Sequence, residues 1–170
     1  MTSENTTGLS RRTLAKGAAW AVPAVGIAAA APAMAASGGG PTLVLGAACK
    51  NPGNSCKSRP KGYTVAAQIC NDTPLDIWIF NVTYTTSGTD LNLTYAPPPA
   101  LPFKVPKNDC INIFLNASSG NSANQAFTLY TTLHWSHNQN PADDPMQDKH
   151  TPVTDDVVIP GTPPDCICPD

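Results

Sequence analysis

The residues with the strongest potential for chemistry lie in one polar segment towards the C-terminus. Three imidazoles and three carboxylates fall within 17 residues there: His134, His137, Asp143, Asp144, Asp148 and His150. Zn, Cu and Mn accept both types of ligand. His134, His137 and Asp143 are the candidate metal site, and the alternative is a solvated polar loop. Because residues three apart on a strand point to opposite faces, the two histidines can share a site only if their strand ends at Ser136.

A second candidate is the sequence Cys166-Ile167-Cys168, since closely spaced cysteines can form a redox pair. The neighbouring Asp165 disfavours the thiolate, and the surrounding prolines provide neither a helix start nor a basic group. We therefore interpret these cysteines as part of a terminal disulfide staple rather than as a redox centre.

The sequence contains no arrangement typical of a hydrolase. It has no Gly-x-Ser-x-Gly motif, and nothing orders its Ser, His and Asp residues as nucleophile, base and orienting group. Its one glutamate, Glu4, lies near the N-terminus, so a paired-carboxylate mechanism would depend on Asp alone. We predict no catalytic residues, no cofactor and no enzymatic activity. An enzyme whose residues meet only in space is kept as an alternative.

Six cysteines form the candidate disulfide set: Cys49, Cys56, Cys70, Cys110, Cys166 and Cys168. An even number in an exported chain is typical of a disulfide framework, although the connectivity cannot be deduced from sequence alone. The proximity of Cys49 and Cys56 favours a small loop between them, and Cys70 with Cys110 would close a longer one. Cys166 and Cys168 would then pair with each other or elsewhere. Buried free thiols are the alternative for the whole set.

The elements that must position these residues are strands, because the apolar residues recur with period two. In Ala126 to Trp135, one predicted face carries Phe127, Leu129, Thr131, Leu133 and Trp135. In Asp76 to Tyr84, the residues Trp78, Phe80, Val82 and Tyr84 alternate with Ile77, Ile79, Asn81 and Thr83. The second strand is apolar on both faces at its start, which predicts a central position in a sheet.

Further strands are predicted at Thr42 to Ala47, Tyr63 to Cys70, Thr89 to Tyr95, Leu101 to Val105, Asp109 to Asn116 and Val153 to Ile159. Pro, Gly, Asn and Ser clusters separate them, and no helical period follows the first 35 residues. Seven or eight short strands of this kind predict an all-β, antiparallel two-sheet sandwich of the immunoglobulin-like type. In such a sandwich the second strand can end beside the start of the fifth, which favours the Cys70 and Cys110 pairing.

The first 35 residues have the character of an export signal. A polar stretch precedes Arg11 and Arg12, an apolar run of about 15 residues follows, and an Ala-x-Ala site ends at Ala35. The run from Ser10 to Lys16 resembles the twin-arginine translocation motif, with Leu and Ala where Phe and Leu are frequent. The leader is similar to those of exported proteins from high-GC Gram-positive bacteria. The alternative is an ordinary secretory signal that happens to contain two arginines.

This resemblance implies export by the twin-arginine translocase, cleavage between Ala35 and Ala36, and a fold that forms before its disulfides. The predicted organisation is a signal peptide at residues 1–35, a flexible leader at 36–41 and one β-sandwich domain at 42–170. The apolar run is too short and too rich in Ala for a membrane span of about 20 residues. We therefore expect an extracellular or cell-surface protein with no membrane span in its mature form.

The net charge of the chain disfavours some classes of partner. Loss of the leader removes three basic residues and one acidic residue, so the formal net charge changes from −2 to −4. Mild acidity without a basic block disfavours nucleic acid or an anionic membrane as a partner. The favoured function is a non-catalytic binding or structural module with a cell-wall, carbohydrate or protein partner. The alternatives are a small exported metal-binding protein that uses the segment from His134 to His150, and an enzyme whose catalytic residues meet only in space.

Overall fold

A computed structural model describes residues 39–53 and 61–167. The predicted leader, its twin arginines and its cleavage site lie outside these ranges, as do Cys56 and Cys168. The described residues belong to one compact unit.

The described residues form eight strands: β1 (Thr42–Lys50), β2 (Gly62–Asn71), β3 (Ile77–Ser87), β4 (Thr94–Ala96), β5 (Phe103–Val105), β6 (Asp109–Ser118), β7 (Phe127–Ser136) and β8 (Val153–Ile159). Between β7 and β8 lie two short 3-10 turns, Pro141–Asp143 and Gln147–Lys149. β-Branched and aromatic residues dominate the long strands, in line with their preference for a pleated, half-buried surface.

The strands form two four-stranded antiparallel sheets, in the orders β1-β2-β6-β4 and β5-β3-β7-β8. The predicted antiparallel two-sheet sandwich is therefore confirmed. At one side the edge strands β1 and β8 approach each other, and the backbone N–H of Leu45 donates to Asp155 Oδ2 at 2.7 Å. A charged side chain that satisfies the neighbouring edge in this way also protects both edges from pairing with other chains.

The core lies between the inner faces of the two sheets. The predicted inner face of β7 is buried at every position: Phe127, Leu129, Thr131, Leu133 and Trp135. Facing them from the other sheet are fully buried side chains that include Tyr63, Ile69 and Leu115. Burial of each such apolar side chain contributes about 1.5–3 kcal/mol, so this face provides much of the driving force for folding.

Strand β3 occupies the predicted central position, between β5 and β7, but its faces differ from the prediction. The core-facing residues are Ile77, Ile79, Val82 and Tyr84. Strict alternation would place Ile79 and Val82 on opposite faces, and the register with β7 in fact shifts between Ile79 and Asn81. A β-bulge at Phe80 supplies the extra residue, keeps the core face continuous and leaves Trp78 and Phe80 only partly covered.

Two predicted strands are shorter in the structure. Of the range 89–95, only residues 94 and 95 lie in β4, because Gly88 adopts a φ of 90° and Thr86 Oγ1 donates to the carbonyls of Thr89 and Leu91. This hydrogen bonding holds residues 89–91 in a turn rather than a strand. Of the range 101–105, β5 takes the last three residues.

The predicted bond between Cys70 and Cys110 is present, and the two residues are register partners of β2 and β6. The predicted bond between Cys49 and Cys56 is wrong, because Cys49 bonds to Cys166, 117 residues away. The cause is a contact that local spacing does not reveal: the segment after β8 returns to the end of β1, where Lys50 and Asp165 form a parallel bridge. All four described cysteines are therefore in disulfides.

The connections between strands gather at two opposite ends of the sandwich. One end, called here the histidine end, is formed by residues 72–76, 106–108 and 137–152. The other, called here the serine end, is formed by residues 88–93, 119–126 and 160–167. Among the described residues, the Cys70–Cys110 disulfide lies at the first end and the Cys49–Cys166 disulfide at the second.

Candidate functional site

The structure does not bring the three predicted metal ligands together. Strand β7 ends at Ser136, as a joint site would require, but His134 lies on the outer face with its ring 6.2 Å from that of Phe80. His137 lies beyond the strand end, and the exposed Asp143 accepts a hydrogen bond from Asn140. Within residues 39–53 and 61–167, no group of three or more His, Cys, Asp or Glu is placed to hold a metal ion.

The neighbouring carboxylate, Asp144, instead organises the whole β7–β8 connection. Its side chain is 4% exposed and accepts from the backbone N–H groups of His137 at 2.8 Å and Met146 at 2.9 Å. His150 Nε2 lies 2.9 Å from the same carboxylate. These three contacts close residues 137–150 into a loop, so Asp144 fixes a segment that would otherwise lack regular structure.

The same contacts set the charge state of this carboxylate. Burial alone would raise the pKa of Asp144, but the two backbone hydrogen bonds and the contact with His150 outweigh it and lower the pKa below its ordinary value. A buried, ionised carboxylate with several donors is a stable arrangement, since each donor favours the charged form. Both oxygen atoms of Asp144 are thereby engaged within the loop.

Three aromatic rings pack beside Asp144 and anchor its loop to the end of β7. The His150 ring stacks on Trp135 with centroids 4.1 Å apart, and the His137 ring meets both at 5.3 Å and 5.0 Å in edge-on geometry. Trp135 Nε1 donates to the carbonyl of Thr151 at 3.0 Å. Aromatic contacts of this kind contribute about 0.5–1.5 kcal/mol each beyond burial. The three rings therefore attach the loop firmly to the sheet.

Asp76 connects this loop to two others. Its carboxylate accepts from Lys104 Nζ at 2.6 Å and from the backbone N–H of Lys107 at 2.9 Å, while its carbonyl lies 3.2 Å from His137 Nδ1. The hydrogen bond from Lys104, followed by that from Lys107, holds the pKa of Asp76 below its ordinary value. One residue thus links the β2–β3 connection, strand β5 and the β7–β8 connection.

A second buried polar residue, Asn71, fixes the remaining loops of the histidine end. This fully buried side chain donates through Nδ2 to the carbonyls of Leu75, Val105 and Pro106, at 2.8, 3.2 and 3.1 Å. It also accepts from the backbone N–H and the hydroxyl of Thr73. Asn71, Asp76 and Asp144 together tie all three loops of this end to one another.

The tied loops border two hollows that open on the outer face of β3. The leucine hollow, of about 510 Å³, is lined by Leu75, Asp76, Trp78, Lys104, His137, Asn138, Asp144, Pro145 and Met146. The amide hollow, of about 670 Å³, is lined by Phe80, Pro102, Asn138, Gln139, Asn140, Pro141 and Asp143. Asn138 is common to both. Leu75 and Met146 are 57% and 47% exposed, so the leucine hollow presents apolar side chains to solvent.

The serine end has a hollow of about 800 Å³ with different chemistry. Its lining residues are Gly88, Thr89, Asp90, Leu91, Asn92, Ser119, Gly120, Asn121, Ser122, Ala123 and Gln125. None of these is aromatic, and Asp90 is the one charged residue among them. The hollow of the serine end is therefore larger than the two hollows of the histidine end, but it presents fewer kinds of side chain.

Sequence reasoning located the histidine-rich segment but assigned it the wrong partners. His137 does take part in the cluster, yet its neighbours are Trp135, Asp144 and His150 rather than His134 and Asp143. The turn signal after Asn71 could have indicated that this side chain bonds to the backbone two residues on. The role of Asp76 has no comparable local signal.

No protein-family model matches the chain, and no curated protein matches it significantly in sequence. Within the part that the structure describes, no helix has the length and apolar character needed to cross a membrane. Fold and site together define a disulfide-bonded, all-β sandwich with a rigid, chemically mixed surface at one end.

Proposed function

We propose that this protein is an exported, non-catalytic binding module whose ligand contacts the histidine end. The observation that carries this proposal is the mutual fixation of three loops around the two hollows, through Asn71, Asp76 and Asp144. Residues on loops held by a rigid scaffold are a common basis for binding in β-sandwiches.

Binding at the histidine end should have a low entropic cost, because the surface there is already ordered. Association loses about 0.5–1.5 kcal/mol for each flexible side chain or loop element that must be immobilised. At the histidine end, buried hydrogen bonds have already ordered the loops. The exposed Met146 and the partly covered Trp78 are of types enriched in interfaces, and the exposed Leu75 beside them adds apolar area.

The strand order supports an immunoglobulin-like interpretation of the sandwich. In the constant-type immunoglobulin domain, strands A, B, E and D form one sheet and C, F and G the other. Here β1-β2-β6-β4 follows the first order and β3-β7-β8 the second, with the short β5 added beside β3. On this assignment the histidine end carries the B–C and F–G connections, where antibody variable domains bind their ligands. This analogy of fold supports the location of a site and not the identity of a ligand.

Export by the twin-arginine route is part of the same proposal. Two disulfides favour an oxidising compartment. Each also joins segments that the backbone already pairs: Cys70 faces Cys110 in the β2–β6 ladder, and Lys50 bonds to the backbone of Pro164 and Cys166 beside the other bridge. The sheets can therefore form before the cysteines are oxidised, which agrees with translocation of a folded chain.

The contact between His150 and Asp144 resembles the base and orienting group of a hydrolase, but its surroundings favour a structural role. The ring of His150 packs against Trp135, and Asp144 also holds two backbone N–H groups. A catalytic base must reach a substrate proton from an accessible position. Here the imidazole nitrogen next to Asp144 points into the loop that it stabilises.

The experiment that tests this proposal is capture with the mature protein from cell-wall fractions and culture proteins. Leu75→Arg places a bulky charge in the leucine hollow, and Val158→Arg is the matched control, since Val158 is 64% exposed on β8. We expect the wild type and Val158→Arg to retain the same component and Leu75→Arg to lose it. Retention of nothing by the wild type, or equal retention by all three proteins, would contradict the proposal.

A further inference from the structure

We propose that the amide hollow is a subsite for a neutral carbohydrate. This inference rests on the proposed function, because it names the class of ligand that the histidine end receives. It depends on three properties of the hollow, which are its side-chain amides, its one aromatic ring and its lack of basic groups.

The amides of the hollow match the hydrogen-bonding pattern of sugar hydroxyls. A side-chain amide offers both donors and an acceptor on one plane, and each sugar hydroxyl is likewise both donor and acceptor. Asn138, Gln139 and Asn140 follow one another along the rim, and all three are exposed. Within the described residues, the Gln139 amide and Asn138 Oδ1 make no hydrogen bond, so both are available to a ligand.

The rim that carries these amides is held in place. Asn138 Nδ2 donates to the carbonyl of Asp143 at 2.9 Å, and Asn140 Nδ2 donates to Asp143 Oδ2 at 3.0 Å. Asn140 Oδ1 also accepts from the backbone N–H of Ala142 at the start of a 3-10 turn. Gln139 is therefore presented between two anchored neighbours, and Asp143 Oδ1 is left as a further acceptor.

Phe80 provides the apolar surface that a pyranose ring needs. The bulge in β3 places this ring on the outer face, half-buried, with His134 6.2 Å away on one side. Pro102 and Pro141 line the same hollow. The C–H groups on one face of a sugar can pack on such a ring while its hydroxyls reach the amides. The volume of about 670 Å³ is within the range of small-ligand sites.

The charge of the hollow favours a neutral sugar. Asp143 is its one charged lining residue, and no Lys, Arg or His lines it. A phosphorylated or acidic sugar would meet repulsion from Asp143 with no compensating cation. The leucine hollow is less suitable for a sugar because it exposes Leu75 and Met146, and the serine-end hollow has no aromatic ring.

The test is titration calorimetry of the mature protein with soluble neutral polysaccharides: glucans, mannans, galactans and arabinans. Phe80→Leu removes the flat ring but keeps an apolar side chain, and Phe114→Leu is its matched control, because Phe114 is 61% exposed on the opposite sheet. Gln139→Ala is paired with Gln125→Ala, which removes an amide at the serine end.

For at least one polysaccharide we expect affinity about tenfold weaker with Phe80→Leu, which is about 1.4 kcal/mol, and several-fold weaker with Gln139→Ala. Phe114→Leu and Gln125→Ala should bind as the wild type does. Absence of binding to every polysaccharide would overturn the inference, as would equal affinity of Phe80→Leu and the wild type. If a protein is captured instead and Leu75→Arg loses it, the proposed function stands and the carbohydrate subsite does not.

Discussion

The two ends of the sandwich have the same general construction but hold their loops in different ways. Within residues 39–53 and 61–167 each end contains a disulfide, and the histidine end borders two hollows where the serine end borders one. At the histidine end, the buried Asn71 and the partly buried His137 contact segments far away in sequence, Asn71 at Val105 and His137 at Asp76. At the serine end, local bonds such as Asn121 to Ser119 and Ser122 to Asn121 stand beside long-range ones, such as that from the Ala123 N–H to the hydroxyl of the buried Tyr63.

The difference shows how a loop surface becomes rigid without regular secondary structure. Water does not reach a buried group that bonds two distant segments. Breaking such a hydrogen bond therefore leaves a polar group unsatisfied. A bond between exposed neighbours can be exchanged for one to water at little cost. Buried groups make bonds of the first kind from Asn71 to Val105 and Pro106 at the histidine end, and from Ala123 to Tyr63 at the serine end, but residues 119–122 of the serine end depend on exposed groups. The histidine end is therefore the better preorganised surface, although its hollows are the smaller ones.

The largest effect should come from the disulfides, which stabilise both ends. Replacing Cys49 and Cys166 together by Ala should lower the free energy of unfolding by about 5 kcal/mol, and replacing Cys70 and Cys110 by about 4 kcal/mol, since the first loop is longer. Urea unfolding of the two double variants measures this. Because backbone pairing holds both sites, each variant should keep the far-UV circular dichroism of the wild type, and its loss in either would contradict folding before oxidation.

A smaller but more local effect should follow from Asp144→Asn, which disrupts the loop at the histidine end. The amide cannot accept as the carboxylate does from three donors, so we expect a loss of about 3 kcal/mol in unfolding free energy. Asp143→Asn is the matched control, since the adjacent carboxylate is exposed, and it should change stability by less than about 0.5 kcal/mol. Equal losses in the two variants would remove Asp144 from its proposed role.

Acid should diminish the difference in unfolding free energy between the wild type and Asp144→Asn. Because the folded-state pKa of Asp144 is lowered, its contribution is present above the ordinary aspartate value of about 3.9 and is lost as the pH falls through the folded value. The stability gap between the wild type and Asp144→Asn should therefore be constant above pH 5 or so and should shrink below about pH 4. Chemical unfolding at several pH values tests this, and a gap that widens with acid would reverse the assigned sign.

The smallest effect is expected at the serine end. Gln125 Nε2 donates to the carbonyl of Gly88, but the pair is exposed, so Gln125→Ala should lower stability by about 0.5 kcal/mol or less. Hydrogen exchange of residues 88–93 should be fast in both proteins. Slow exchange there in the wild type would mean that the serine end is as rigid as the histidine end.

The fold was predictable where periodicity is local and strong. The alternation in β7 gave both the strand and its buried face, and β8 has the predicted bounds, Val153–Ile159. The faces of β3 were not predictable, because a bulge at Phe80 adds one residue without a sequence signal such as Gly. The partner of Cys49 depends on the path of the chain after β8, which no local spacing encodes.

The candidate site was predictable in composition and not in geometry. The polar segment after β7 was recognisable from its imidazoles and carboxylates, but the choice between Asp143 and Asp144 depends on which one the loop turns inward. Asp76 lies 61 residues before His137 in sequence and meets it only through the packing of two connections. Long-range contacts of this kind follow from the complete topology and not from a motif.

The most direct test of the central claim is a two-dimensional NMR titration of the mature protein with the cell-wall component that it captures. Binding at the histidine end predicts that the amide signals of residues 75–80 and 137–146 shift, with the side-chain amide signals of Gln139 and Asn140, while residues 88–92 and 119–125 do not shift. Shifts confined to the serine end, or to the outer face around Phe114, would contradict the assignment of the ligand surface to the histidine end.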